Sequence, residues 1–334
     1  MAESGRSGIL AAGNWIVDHV KLIEEFPRQD ALVSITSESD SNGGGPYNLL
    51  KDLALLGAPF PLAGAGLVGD DADGLAILAD CEAHGIDTSQ LRTCTAARTS
   101  YTDVMTVSAD GRRTFFHQRG ANALFDGSEV QFSESGARIF YLGYLLLLDS
   151  LDRVHEDGST LAAGLLEEAS AHGLETAVDL VSAQSGDFSR VVLPSLPHVD
   201  YLFLNEYEAG ALLGTGLESA DRQHVLDAAA EIRALGVRKL VAIHRPDGVA
   251  LAGNEISLWQ GSVAIPDGSI AGAVGAGDAF AAGMLLGLHE RAPIEQCLRQ
   301  AVCSAAMCLM ESTTSGGMGP VEAALELGES YGFR

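Results

Sequence analysis

The feature that most constrains this chain is a rhythm: short apolar, strand-like runs alternate with longer helical stretches along most of its length. Such alternation predicts an α/β protein whose mainly parallel sheet is covered by helices on both faces. Buried strands are expected at 8–13, 60–65, 138–142, 175–179, 199–204 and 239–244, and helices at 48–56, 74–84, 161–172, 206–213 and 223–235. The last third reads as helical over 278–288, 293–311 and 321–327. Two segments, 15–42 and 98–118, break the rhythm with β-branched, alternating residues, and Ser108-Ala109-Asp110-Gly111 carries a hairpin signal. They predict antiparallel strands projecting from the main sheet, either as a lid or as fixed edge hairpins. No repeat or linker divides the chain, so 1–334 is read as a single domain with these segments inserted.

A formal charge of −25, from 45 acidic against 20 basic residues, argues against a protein that grips nucleic-acid backbones. Only three lysines occur, so arginine carries most of the positive charge. The most apolar run, 139–148, is about half the ~20 residues a membrane-spanning helix needs, and residues 1–8 lack the apolar stretch of a secretory signal. The five cysteines (Cys81, Cys94, Cys297, Cys303, Cys308) are odd in number and form no CxxC pair. They suit reduced thiols better than a disulfide framework or a zinc site. The expectation is a soluble, cytoplasmic protein without nucleic-acid or membrane partners.

Three glycine clusters bear on chemistry. Gly64-Ala65-Gly66-Leu67-Val68-Gly69 formally matches the dinucleotide fingerprint. However, it lies on a later strand, and Asp70 and Asp71 follow where a pyrophosphate needs free amides. Its other reading is a tight passage in which glycine permits close backbone packing. No GxxxxGK[ST] segment occurs, which speaks against a P-loop. Gly275-Ala276-Gly277-Asp278, running into a small-residue helix, can turn several backbone N–H groups into one hollow that holds an anion without lysine. Asp278 then has two readings: an ordinary helix N-terminal cap, or a base taking the proton of an attacking alcohol beside the transferring phosphoryl group. Asn42-Gly43-Gly44-Gly45-Pro46-Tyr47-Asn48 similarly opens a helix, where Asn48 either caps the turn or meets ligand hydroxyls. Asp18, after the first strand, is ambiguous alone.

Taken in order, these segments resemble the PfkB (ribokinase-like) family of carbohydrate and nucleoside kinases, from about residue 9 to 319. The matching pieces are Gly13 to Asp18, Gly43-Gly44 with Asn48, Leu55-Leu56-Gly57-Ala58, Gly69 to Gly74, Gly120 to Leu124, Asn205-Glu206-Tyr207-Glu208 and Gly275 to Asp278. The resemblance implies a three-layer α/β/α fold with a mainly parallel central sheet and a small β-strand lid. It also implies ATP-dependent phosphorylation of a hydroxyl on a small sugar or sugar acid. Asp278 would be the general base, and Gly275, Ala276 and Gly277 the anion hole. Asp18, Gly43, Gly44, Asn48, Asn122 and Arg119 would face the substrate. Asn205, His244, Gly248 and Gly277 would face the nucleotide, and Asn205 with Glu208 would organise Mg²⁺ through water. A homodimer through the lid strands is implied as well. An ordinary aspartate with a pKa near ~4 is a weak base, tolerable where proton removal comes late in a loose transition state.

The chain departs from the family pattern in three places. Gly272-Ala273 stand where the family has Asp-Thr, which puts a monovalent-cation site in doubt. His244-Arg245-Pro246-Asp247-Gly248 replaces a glycine turn at the nucleotide, with Arg245 either meeting a phosphate or lying in solvent. The positions around Ile16 and Tyr144-Leu145 do not reproduce the family's ribose contacts. A nucleoside kinase of the same fold and a non-catalytic sugar- or nucleotide-binding regulator are the alternatives.

Overall fold

The computed structural model describes residues 5–109, 111–182, 188–272, 274–311 and 315–334. Its elements in chain order begin with β1 (Ile9–Gly13), β2 (Ile16–Ile23), β3 (Ile35–Gly43), α1 (Gly45–Leu55), β4 (Leu62–Gly69), α2 (Ala72–Ala83) and β5 (Ile86–Cys94). They continue with β6 (Ser100–Val107), β7 (Arg113–Gln118), a 3-10 turn at Gly120–Leu124, β8 (Ile139–Leu145), α3 (Leu161–Ala171) and β9 (Glu175–Leu180). Then come α4 (Phe188–Val192), β10 (Tyr201–Asn205), α5 (Glu206–Leu213), α6 (Arg222–Ala234), β11 (Leu240–Arg245), β12 (Gly248–Gly253) and β13 (Ile256–Gly261). Three helices close the chain: α7 (Ala276–His289), α8 (Ile294–Leu309) and α9 (Val321–Tyr331).

Nine strands form one sheet in the order β13-β12-β11-β10-β9-β8-β1-β4-β5. Its strands run parallel from β11 to β5, while β12 and β13 are added antiparallel at one edge. Alternate strand residues feed opposite faces. Ile9 and Ala11 join a core beneath α1, α2, α7, α8 and α9, whereas Leu10 and Ala12 join a second core beneath α3 to α6. The expected three-layer architecture is therefore present. The antiparallel edge strands and β5 are additions to the sequence reading. The Arg245–Gly248 register shows that Pro246-Asp247 is simply the turn between β11 and β12.

The two segments that break the rhythm form a separate sheet in the order β3-β2-β6-β7. β2 pairs antiparallel with β3, and β6 with β7, but β2 and β6 run parallel. This corrects the expectation of purely antiparallel strands. The two ribbons are inserted at different points of the chain, so nothing forces them to meet as a meander. Of the expected hairpin residues, Asp110 lies outside the described residues; Gly111 takes a left-handed φ of 69°.

The dinucleotide-like glycines have a packing explanation. A Cβ on Gly64 or Gly66 would lie 2.6 Å from the Trp15 ring, whose Nε1–H donates to the Ala65 carbonyl at 2.9 Å. Asp71 caps α2 by accepting from Gly74 N–H at 3.0 Å. Among the described residues no helix is long and apolar enough to cross a membrane.

Candidate active site

The carboxyl ends of β1, β8, β9, β10 and β11 lie along one edge of the main sheet, the edge where parallel α/β folds collect ligands. The N-termini of α1 and α7 converge there. Gly44, with φ of 97°, opens α1 so tightly that a Cβ would stand 2.0 Å from the Asn14 carbonyl. Asn14 Oδ1 in turn accepts from Tyr144 N–H at 2.8 Å and Gly45 N–H at 3.3 Å, tying β1, α1 and β8 together.

Asp278 sits in the first turn of α7 and is 4% exposed. Its Oδ2 accepts from Asn48 Nδ2 at 2.8 Å, and the Tyr144 hydroxyl donates to both carboxylate oxygens at 2.6 and 2.7 Å. Burial pushes its pKa up to about 7, against the lowering effect of those hydrogen bonds, and the charges of Asp18 and Glu208 raise it further. The ordinary carboxylate expected from the sequence is thus replaced by one that titrates near neutrality. The capping alternative is not needed either. Gly275 precedes α7 in the left-handed region at φ 84°, and among the described residues no side chain caps the helix. The first-turn N–H groups of Ala276, Gly277 and Asp278 have no intrahelical acceptor and stay available to an anion.

Tyr144 and the α7 mouth border a cavity of about 940 Å³ that Asn48 and Asp18 do not line, within the size range of cofactor sites. Gly275, Ala276, Gly277 and Asp278 line one end, and Val263, Ile265, Val302, Ala306 and Leu309 give the other an apolar wall. Asn205 and Glu208 stand on its rim in a reciprocal cap of α5: Asn205 Oδ1 accepts from Glu208 N–H, and Glu208 Oε2 accepts from Asn205 N–H, both at 2.9 Å. The motif thus caps its own helix, and Glu208 is only 3% exposed. Burial raises its pKa, opposed by bonds from Asn205 and Ser182. Asp179, at the end of β9, faces the same cavity. Burial first, then the charges of Asp278 and Glu208, push its pKa well up.

Asp18 approaches from the smaller sheet. A Cβ on Gly43 would lie 2.7 Å from Asp18 Oδ2, so glycine is what admits the carboxylate against the start of α1. Burial raises its pKa to about 6, offset by a hydrogen bond with Thr102 and by His19 and Arg113.

Other expected residues are engaged elsewhere. Both ends of the Asn122 amide serve Trp15: Oδ1 accepts from its N–H at 3.1 Å and Nδ2 donates to its carbonyl at 3.0 Å, at zero exposure. Asn122 therefore staples the β1–β2 link. Arg119 pairs with Asp149 at 3.2 Å and donates to the Leu146 carbonyl at 3.4 Å. Arg245 donates to the Ala220 carbonyl at 2.7 Å and pairs with Asp247 at 3.1 Å, which explains its place in the β11–β12 turn without a phosphate. His244 lines the cavity beside Gly277, but burial lowers its pKa to about 4, so its ring is neutral and packs on Phe280 at 5.4 Å between centroids. Gly248 admits the Trp259 ring, which a Cβ would meet at 2.7 Å. Ala273 lies outside the described residues. Sequence reasoning missed Tyr144, Asp179 and Asn14; the available signal was polar residues just at or past the carboxyl ends of parallel strands.

The fold and the site define an α/β phosphotransferase with a buried acid at a helix mouth. The family described as "pfkB family carbohydrate kinase" matches residues 8–318, and the chain belongs to it. An ATP-dependent ribose-1-phosphate kinase of Halopiger xanaduensis is 27% identical over 297 residues, 88% of either chain. Among solved structures, ribokinase of Arabidopsis thaliana complexed with ribose and ATP superposes with a TM-score of 0.77 at 23% identity, covering 96% of this chain and 98% of that one. Ribokinase from Giardia lamblia superposes with a TM-score of 0.81 at 20% identity, covering 98% and 99%. The fold is that of ribokinase, and the family makes the chain a carbohydrate kinase.

Proposed function

We propose that the chain transfers the γ-phosphoryl group of ATP to a hydroxyl of a small sugar or sugar acid. The observation that carries this reading is the pairing of Asp278, a buried carboxyl titrating near 7, with the uncapped N–H groups of α7 at one end of the cavity. The acceptor hydroxyl gives its proton to the Asp278 carboxylate as its oxygen bonds phosphorus, and the bond from phosphorus to the departing ADP oxygen breaks. The α7 amides meet the charge on the transferring group. Tyr144 and Asn48 hold the carboxylate oriented, while Asp18 accepts from other acceptor hydroxyls. The apolar wall suits a nucleobase.

Mg²⁺ would supply charge neutralisation at the phosphates. Asn205, Glu208 and Asp179 fit its hydration shell, because burial raises the pKa of both acids and the Glu208 charge raises that of Asp179 further, a penalty that a divalent cation relieves. The four-stranded sheet would close as a lid and exclude water. Its exposed Ile35, Phe115 and Phe116 support a homodimer through that sheet.

A phosphorylated acceptor is the second reading. Its support is the ribose-1-phosphate kinase relative and the half-exposed Arg119–Asp149 pair, which a phosphate can open. The test is Mg²⁺-dependent ADP release over a panel of sugars, sugar acids, ribose 1-phosphate and nucleosides, with thermal shifts alongside. ADP release with a sugar or sugar acid is expected. Release with ribose 1-phosphate or a nucleoside alone moves the substrate class. Binding of nucleotide and sugar without ADP from any acceptor replaces the kinase with a regulator.

A further inference from the structure

Directly below the proposed base lies a buried acid that the phosphoryl-transfer reading does not use. Asp52 is on α1 at zero exposure, and among the described residues neither carboxyl oxygen has a partner in good hydrogen-bond geometry, the Ser315 hydroxyl being the one donor near enough to act on it. One turn earlier on the same helix, Asn48 donates Nδ2 to Asp278, while its Oδ1 is sealed from solvent without a partner among the described residues. Helix residues four apart share a face, and their side chains lean toward the N-terminus, so residue 52 reaches back over residue 48. Both orphans are acceptors, and two acceptors bond only through a proton.

We propose that Asp52 is a positioning residue held as a neutral carboxylic acid, whose O–H donates to Asn48 Oδ1 and so fixes the amide with Nδ2 on the Asp278 carboxylate. The proposal rests on the reading of Asp278 as the base. The surroundings agree. The groups that act on Asp52 are Ser315, Lys51 on α1 and Asp278 on α7, with the Cys308 thiol of α8 also close enough to be influenced by it. Burial is the largest influence and favours the protonated form; the Asp278 charge adds to it, while the Ser315 hydroxyl and Lys51 oppose it. The ammonium of Lys51 is itself occupied, donating to Asp80 at 3.1 Å and Tyr47 at 2.8 Å. An Asn48 side chain with an unsupported Oδ1 can turn over, presenting oxygen to the Asp278 carboxylate and losing the bond that orients it. A neutral Asp52 removes that alternative.

The first experiment is independent of activity: an infrared difference spectrum, wild type minus Asp52→Asn, at pH 7. A protonated carboxyl band in the wild type is expected; a carboxylate pair in its place overturns the proposal even if the kinase reading stands. The second compares Asp52→Asn, which keeps an N–H donor of the same shape, with Asp52→Leu, which has none. Asp52→Leu is expected to lower kcat about ten-fold with the ATP KM unchanged, and Asp52→Asn to restore most of the loss. Equal loss in both variants, or a requirement for potassium or sodium that disappears in Asp52→Asn, shows an ionised, cation-holding Asp52 and overturns it. Should no acceptor yield ADP at all, the kinase reading fails while the infrared result still decides the state of Asp52.

Discussion

Replacing Asp278 with asparagine separates the catalytic use of this carboxyl from its structural cost. Burial, the largest influence, helps push its pKa up to about 7 from the 3.8 of an ordinary aspartate, so the folded protein disfavours the charged form by about 4 kcal/mol. The raised acid binds a proton more tightly in the folded state. Its stabilising contribution is therefore complete below about pH 4 and is lost as pH rises to about 7. Between pH 5 and pH 8 the wild type loses about 2–3 kcal/mol through this one group, whereas Asp278→Asn has no charge to bury there. The amide keeps Oδ1 as acceptor for Asn48 Nδ2 and can donate to the Tyr144 oxygen, and any remaining change in contacts is the same at both pH values and cancels in the comparison. At about 2 °C per kcal/mol for a chain of this size, the melting temperature of the variant relative to wild type should rise by about 5 °C from pH 5 to pH 8. Turnover should fall by about 10²–10⁴-fold, as for loss of a general base. Differential scanning calorimetry at the two pH values and coupled ADP assays read both effects. A melting-temperature difference that does not grow with pH refutes the buried charge; a variant retaining a tenth of wild-type turnover refutes the base.

Four further outcomes are expected. Tyr144→Phe removes the two hydroxyl bonds that lower the Asp278 pKa, so the acid limb of the kcat/KM profile, set by ionisation of Asp278, should move to higher pH. Gly44→Ala, at φ 97° with the Asn14 carbonyl 2.0 Å from the new methyl, should cost about 3 kcal/mol in urea unfolding. Gly57→Ala, at φ 83° with nothing within 4 Å, should cost only about 1 kcal/mol. Rates in potassium and sodium buffers should differ little, since Gly272-Ala273 supplies no carboxylate; a large potassium requirement in steady-state assays would contradict this.

Local pattern and glycine spacing carried most of the architecture. The alternation of strand and helix, each recorded in a few adjacent residues, is enough to determine a covered parallel sheet. The Gly275–Asp278 and Gly43–Asn48 segments marked both helix mouths, because small residues at a helix start are legible without knowing what lies opposite. Tertiary structure alone decided what those mouths face. It decided between the cap and the buried acid for Asp278, brought Tyr144 and Asn48 onto it across more than a hundred residues of chain, and set Asp179 and Glu208 on one cavity. It also committed Asn122 to Trp15 and Arg245 to its own turn. Hydrogen-bond partners and desolvation depend on which strand ends adjoin in the folded sheet, and that adjacency is written in no single stretch of sequence.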